Sequence, residues 1–296
     1  LPIIYIEIKT EEPTSAITLD KTLIAEEYTV NGDTFYIPVE APDKRIMVGN
    51  DGAKGFVFTY GTEDECRALY EEFLQNKDHL IKKRKDRINS LITEYNPIQS
   101  NLPELDKALD WITITMDELI TCQQGNGIYA GLPWFNEYWG RDMFISMPGA
   151  CLVTGQFDVA KEILKDFVKL QDTDQESETY GRIPNRANLE GILYNTTDGT
   201  PRLVIQAYQL AQYSGETEFL HELYPAIKMS IDASIRNYMD SKGYLTHADA
   251  DTWMDVKRNG IPGSPRGNRA NDIQALWYEQ LTAGSHIAVL MGDDSS

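Results

Sequence analysis

A chain of 296 residues with 42% hydrophobic and 25% charged content can bury one large core or two modest ones, and it has the composition of a globular protein. Its net charge of −19 and pI of about 4.6 speak against nucleic-acid backbones and anionic membranes, which would repel it, whereas a neutral polymer is indifferent to that charge. Cys66, Cys122 and Cys151 are too scattered for a disulfide framework or a metal site and read as reduced thiols in a cytoplasmic setting; no apolar run approaches the roughly 18 residues of a membrane span.

From Ile3 to Val57 and just beyond, short extended segments succeed one another: IIYIEIK, SAITLD, EEYTV, TFYIPVE, RIMVG and GFVFTY, parted by Pro13, Asn31-Gly32-Asp33, Pro42 and Asp51-Gly52. Alternating β-branched and aromatic residues between such turns predict antiparallel strands. Residues 1–61 are read as the end of a β-sandwich that serves as scaffold, with a carbohydrate-binding sheet as the alternative. The chain starts at Leu1 directly in strand-like sequence, which reads as a piece of a longer protein. Thr62 with Glu65 three residues on predicts a capping box opening a helix from 63 to about 91, and Tyr95-Asn96-Pro97 closes this linker region, 62–100. The basic run Lys82-Lys83-Arg84-Lys85 is read as a solvated helix face.

After Pro97 the periodicity becomes helical, with helices predicted at about 103–123, 140–154, 157–170, 199–213, 216–240 and 270–291. Leu203, Ala207, Leu210 and Ala211 form one apolar stripe; Ile273, Leu276, Trp277, Leu281 and Ile287 form another. Three long loops separate these helices, and loops of that length in a helical domain are more often functional than idle. If helices alternate up and down, all three loops reach the same end.

The first loop runs into GLPWFNEYWGRDMFISMPG, where Trp134, Phe135, Tyr138 and Trp139 stand beside Arg141 and Asp142. Aromatic faces receive the apolar side of a pyranose ring while guanidinium and carboxylate groups take its hydroxyls, so the mixture suits a sugar pocket. The alternative is a core turn with buried aromatics and Arg141 paired to Asp142. Carboxylates recur on the other two loops: Asp198 on the second, and Asp249, Asp251 and Asp255 around Trp253 on the third. Glycoside hydrolysis needs one carboxylic acid and a second carboxylate. An aromatic wall favours the protonated acid, which makes Asp255, after Trp253, the best general-acid candidate; turn capping, or pairing with Arg266 and Arg269, is the competing role for these aspartates. His79, His221, His247 and His286 are scattered, with no HExxH, GxSxG, GxxxxGK[ST] or GxGxxG, so zinc, serine-hydrolase, P-loop and dinucleotide chemistries are disfavoured and no cofactor is expected. His247 reads as a turn residue, or else as a hydrogen-bonder in the pocket, and Cys122 and Cys151 as core packing in helices.

These stretches, with RIPNR, YNTTDGTPRL, HADADTWMD and PRGNRANDIQALWYEQL, resemble the amylo-α-1,6-glucosidase region of glycogen debranching enzymes over about Asn101 to Ala288. The resemblance implies part of an (α/α)6 toroid, mainly α behind the all-β N-terminal portion, with 101–296 as its first half. It further implies inverting hydrolysis of the α-1,6-linked glucose at a trimmed branch of glycogen, limit dextrin or an α-glucan oligosaccharide. Asp255 would be the acid, Trp253 a pocket wall, and Arg141 and Asp142 the grip on glucose hydroxyls. Trp134, Trp139, Arg182, Arg186, Asp198, Arg202 and Arg266 would line the site. Asp272 stands where the family often has Glu. The second carboxylate is expected beyond residue 296, so the isolated chain should lack a complete pair. A glucoamylase-like or trehalase-like glycosidase, or a non-catalytic glucan-binding fragment, remain the alternatives.

Overall fold

The Asn31-Gly32 dipeptide needs left-handed backbone at both turn positions, and a computed structural model gives it: φ is 54° at Asn31 and 92° at Gly32, joining strands β2 (Ile24–Val30) and β3 (Asp33–Pro38) as a hairpin. The structure describes residues 3–7, 19–52, 55–95, 98–122, 125–188 and 191–293. With β1 (Ile3–Glu7), β4 (Arg45–Asn50) and β5 (Gly55–Gly61) the hairpin makes an antiparallel sheet in the order β1-β5-β4-β3-β2. The chain separates into two compact units, Leu1–Asn89 and Ser90–Ser296.

The described strands of the first unit form this one sheet, and a helix packs on its apolar face. That helix, α1 (Glu63–Thr93), brings Cys66 against Phe35 and Met47, all within 1% of full burial, and Phe73 to 5.1 Å from the Tyr5 ring. Its capping box is reciprocal: the Thr62 N–H donates to Glu65 Oε2 at 2.7 Å and the Glu65 N–H to Thr62 Oγ1 at 3.3 Å. Lys82 pairs with Asp86 on an exposed face, as expected of the basic run. Most of the expected SAITLD strand, 15–18, lies outside the described residues.

The second unit contains helices α2 (Pro103–Leu119), α3 (Gly140–Met147), α4 (Phe157–Val168), α5 (Gly199–Ser214), α6 (Leu220–Ala233) and α7 (Asn271–Met291). Two expected helices end differently from their sequence pattern, because π-type turns, Pro148–Leu152 and Ser234–Tyr238, follow α3 and α6. Gly215 and Gly292, both at φ 72°, close α5 and α7 in the left-handed conformation. One apolar core runs through α3 to α7. Phe144 meets Phe167 edge-on at 5.5 Å, and the predicted α5 stripe, Leu203, Ala207, Leu210 and Ala211, is buried. In α7, Ile273, Trp277 and Ile287 are buried as predicted, but Leu281 is 36% exposed. α5 packs against both α3 and α7, α4 against α5 and α6, and α6 against α7.

The segments expected to be long loops are partly strand. β6 (Ile120–Cys122), β7 (Asn126–Gly131), β8 (Phe135–Trp139), β9 (Arg186–Asn188) and β10 (Gly191–Leu193) form a second sheet in the order β10-β9-β8-β7-β6. β11 (Lys257–Arg258) and β12 (Ile261–Pro262) make a small hairpin in the third segment. Cys122 consequently ends a strand and is exposed, unlike the buried helical residue expected; Cys151 is buried, which pushes its thiol up to about 12. No helix among the described residues is long and apolar enough to cross a membrane.

Candidate active site

The pairing of β8 with β9 brings the first and second motifs together, setting Trp139 opposite Arg186 and Tyr138 opposite Ala187. The chain then passes from β8 into α3 through Gly140, whose N–H donates to Asn185 O at 2.7 Å. A Cβ at this position would lie 2.4 Å from the Pro184 carbonyl oxygen, so only glycine allows the approach. The third motif is tied to the second by the Thr197 N–H, which donates to Asp251 O at 2.7 Å.

All three motifs meet on one guanidinium. Arg141, on the first turn of α3, donates from Nε to Asp198 Oδ2 at 2.5 Å and from Nη1 to Asp255 Oδ2 at 3.2 Å. Its Nη2 reaches Asp198 Oδ1 at 3.4 Å, Thr252 O at 3.0 Å and Asp255 Oδ2 at 3.3 Å. The expected alternative, an Arg141–Asp142 structural pair, is therefore replaced by partners 57 and 114 residues away. Asp198 sits at the N-cap of α5 with its side chain 3% exposed, whereas the Asp255 side chain is 22% exposed. Burial alone would lower the Arg141 value; the Asp198 hydrogen bond and charge, backed by Asp255, hold it above its ordinary range.

Two neighbours carry the opposite strain. Burial pushes the Asp142 carboxyl up, against the lowering pull of Arg141 and its own backbone N–H, with the charges of Asp198 and Asp255 adding to the rise. Burial lowers the Arg202 guanidinium, against the opposing pull of Asp198, with Arg141 adding to the fall; its Nε is buried without a hydrogen-bond partner. A carboxyl raised in the native state binds its proton more tightly than the unfolded chain does. Asp142 thus supports folding at acid pH, and that support is lost as pH rises through its raised value. Asp142→Asn is expected to raise the thermal midpoint at neutral pH, more than at acid pH. A neutral-pH midpoint that falls would show that the ionised carboxylate has a stabilising partner.

The other expected site residues are distributed unevenly. Arg182 donates to Tyr194 O at 3.1 Å, lies 3.7 Å from Asp251 and stacks over Tyr238 at 4.9 Å. Arg186 stacks over Trp139 at 5.8 Å, with Glu137 at 3.8 Å. Arg266 pairs with Asp272 at 2.6 Å at the start of α7, and Arg269 with Asp240, so neither binds the aspartates around Trp253. Asp249 accepts from the Gly267 N–H at 2.6 Å, a tether across 18 residues of the third motif rather than a local turn cap. Trp134 is 83% and Trp253 55% exposed, so Trp253 stands open where a burying wall for Asp255 was expected. Two cavities lie elsewhere, one along α6 and one between α6 and α7.

Sequence reasoning missed Thr252, fully buried, whose carbonyl receives Arg141; a backbone acceptor leaves no sequence signal. It also left His247 undecided. The structure buries this ring to 7% exposure and binds both its nitrogens. Among the described residues no group of three or more His, Cys, Asp or Glu is placed to hold a metal ion. A family model described as amylo-alpha-1,6-glucosidase matches residues 75–295, a span that takes in all three motifs and the whole Arg141 network. No curated protein matches the chain.

Proposed function

The chain belongs to the amylo-α-1,6-glucosidase family, a glycoside-hydrolase family, and from that premise we propose that the Arg141 network holds the general acid for inverting hydrolysis of an α-1,6-linked glucose at a glucan branch point. The observation that carries the reading is the convergence of three distant motifs on Arg141, which holds Asp198 buried and Asp255 partly exposed. Asp255 is assigned the acid that protonates the leaving oxygen. Asp198, bound through both oxygens and 3% exposed, anchors the arginine and is not placed to activate water. The second carboxylate of an inverting pair, roughly 6.5–9.5 Å from the first, is accordingly assigned to another part of the protein.

Arg141 spends most of its five N–H groups on protein acceptors. It is therefore better suited to fixing Asp255 than to gripping sugar. Hydroxyl recognition is assigned to Asp142 and Arg202, with Trp134 and Trp253 offering aromatic faces. The contact of α5 with both α3 and α7 supports the toroid reading, with these alternate helices as an inner layer and α4 and α6 outside.

One architecture hosts several glycosidases, so the substrate must be ranked directly. Given a phosphorylase limit dextrin, an α-1,4 maltooligosaccharide and α,α-trehalose, the protein is expected to release β-glucose from the first at least tenfold faster than from the others. Strong preference for the α-1,4 chain or trehalose would move the assignment to a glucoamylase-like or trehalase-like enzyme. Binding without turnover by the whole protein would make it a glucan-binding protein.

A further inference from the structure

The stretch that carries Asp255 is held at its beginning by an imidazole. His247 Nε2 accepts the Ala270 N–H at 2.8 Å, and its Nδ1 lies 2.8 Å from Ala248 O. An amide N–H can only donate and a carbonyl oxygen can only accept, so the two partners fix the ring's protons: Nδ1 carries hydrogen and Nε2 is bare. The His247 backbone N–H adds a bond to Asn268 O at 3.3 Å. Through these contacts one residue ties the start of the third motif to the residues that open α7, the helix on which Asp272 pairs with Arg266.

From His247 the chain reaches Asp255 through further fixed points. Ala250 and Thr252 are buried, Asp251 O receives the Thr197 N–H, and Thr252 O receives Arg141. Arg141 therefore holds the far end of the stretch and His247 its near end. We propose that His247 is a positioning residue for the acid: it sets the path of residues 247–255 by bridging Ala248 and Ala270, and touches neither sugar nor reacting atoms. This rests on Asp255 being the general acid.

Two substitutions separate volume from hydrogen bonding. His247→Gln keeps a donor and an acceptor about as far apart as the two ring nitrogens, so one rotamer can serve both partners; His247→Phe fills the same space and serves neither. Glucose release from limit dextrin is expected to keep within about threefold of wild type in the Gln variant. In the Phe variant it is expected to fall about 10²-fold in kcat, with KM little changed, as for a catalytic group displaced by about an ångström. Ring-nitrogen NMR of the wild-type protein should show the Nδ1–H form. Wild-type kcat in H247F, or a loss in H247Q as large as in H247F, would overturn the proposal, as would the Nε2–H form. If the wild-type protein releases no glucose, the glucosidase reading fails by itself. The positioning role is then read from hydrogen exchange, where the amides of 249–255 should open at least tenfold faster in H247F than in wild type and H247Q. Equal protection in all three would overturn it.

Discussion

Asp255→Asn is expected to lower kcat for limit dextrin by about 10²–10⁴-fold, the contribution typical of a general acid, while leaving the fold in place. The frame survives because Arg141 keeps Asp198 at 2.5 Å and Thr252 O at 3.0 Å, and an amide has the shape of the carboxyl it replaces. What disappears is the transferable proton. A substrate whose leaving group departs unaided provides the control. With α-glucosyl fluoride the variant should act at close to the wild-type rate, because fluoride needs no proton from an acid as strong as a sugar alkoxide does. If both substrates lose rate equally, Asp255 serves binding or structure and the acid lies elsewhere.

The second large effect concerns Arg141. Removing one partner of a buried ion pair costs about 3–5 kcal/mol because the other charge is left unpaired, and Asp198 is 3% exposed. Against the roughly 5–15 kcal/mol that holds a typical domain together, Arg141→Met is a severe change. Arg141→Lys should recover little of it, since a single ammonium cannot replace a planar fork that serves two carboxylates and a carbonyl. Trp111, Trp134, Trp139, Trp253 and Trp277 all lie in the second unit, so tryptophan fluorescence during urea unfolding reports on that unit alone. Adding Asp198→Asn should reduce the cost of Arg141→Met by more than half; strictly additive costs would mean that the pair contributes nothing through its charge.

Much of this architecture is written in local pattern. The capping box at Thr62, the stripe at Leu203, Ala207 and Leu210, and the Asn31-Gly32 turn depend on residues a few positions apart, and each lies where the sequence placed it. The second sheet was less legible. β9 and β10 are three residues each, too short to show alternation; β9 exists because β8 offers it an edge, and β10 because β9 does. At the site, the sequence supplied the participants but not the pairing. Arg141 beside Asp142 suggested a local ion pair, yet the helix directs the guanidinium to Asp198 and Asp255, and Asp142 is left with a raised value. Arg266 was drawn into the same pocket by its motif, although Asp272, six residues on, holds it at the start of α7. Such choices depend on which loops the core of the second unit brings together, and that core is assembled from α3 to α7 together.

The spacing of the Arg141 contacts also sets an order of events at the ribosome. Asp198 follows the arginine by 57 residues and Asp255 by 114. At about 5–20 residues per second, synthesis supplies Asp198 roughly 3–11 s after Arg141 and Asp255 roughly 6–23 s after it. The anchor is thus available well before the group it is to orient. A growing chain can neutralise its buried arginine with Asp198 while the third motif is still being translated, and Asp255 then joins a charge that already has a partner.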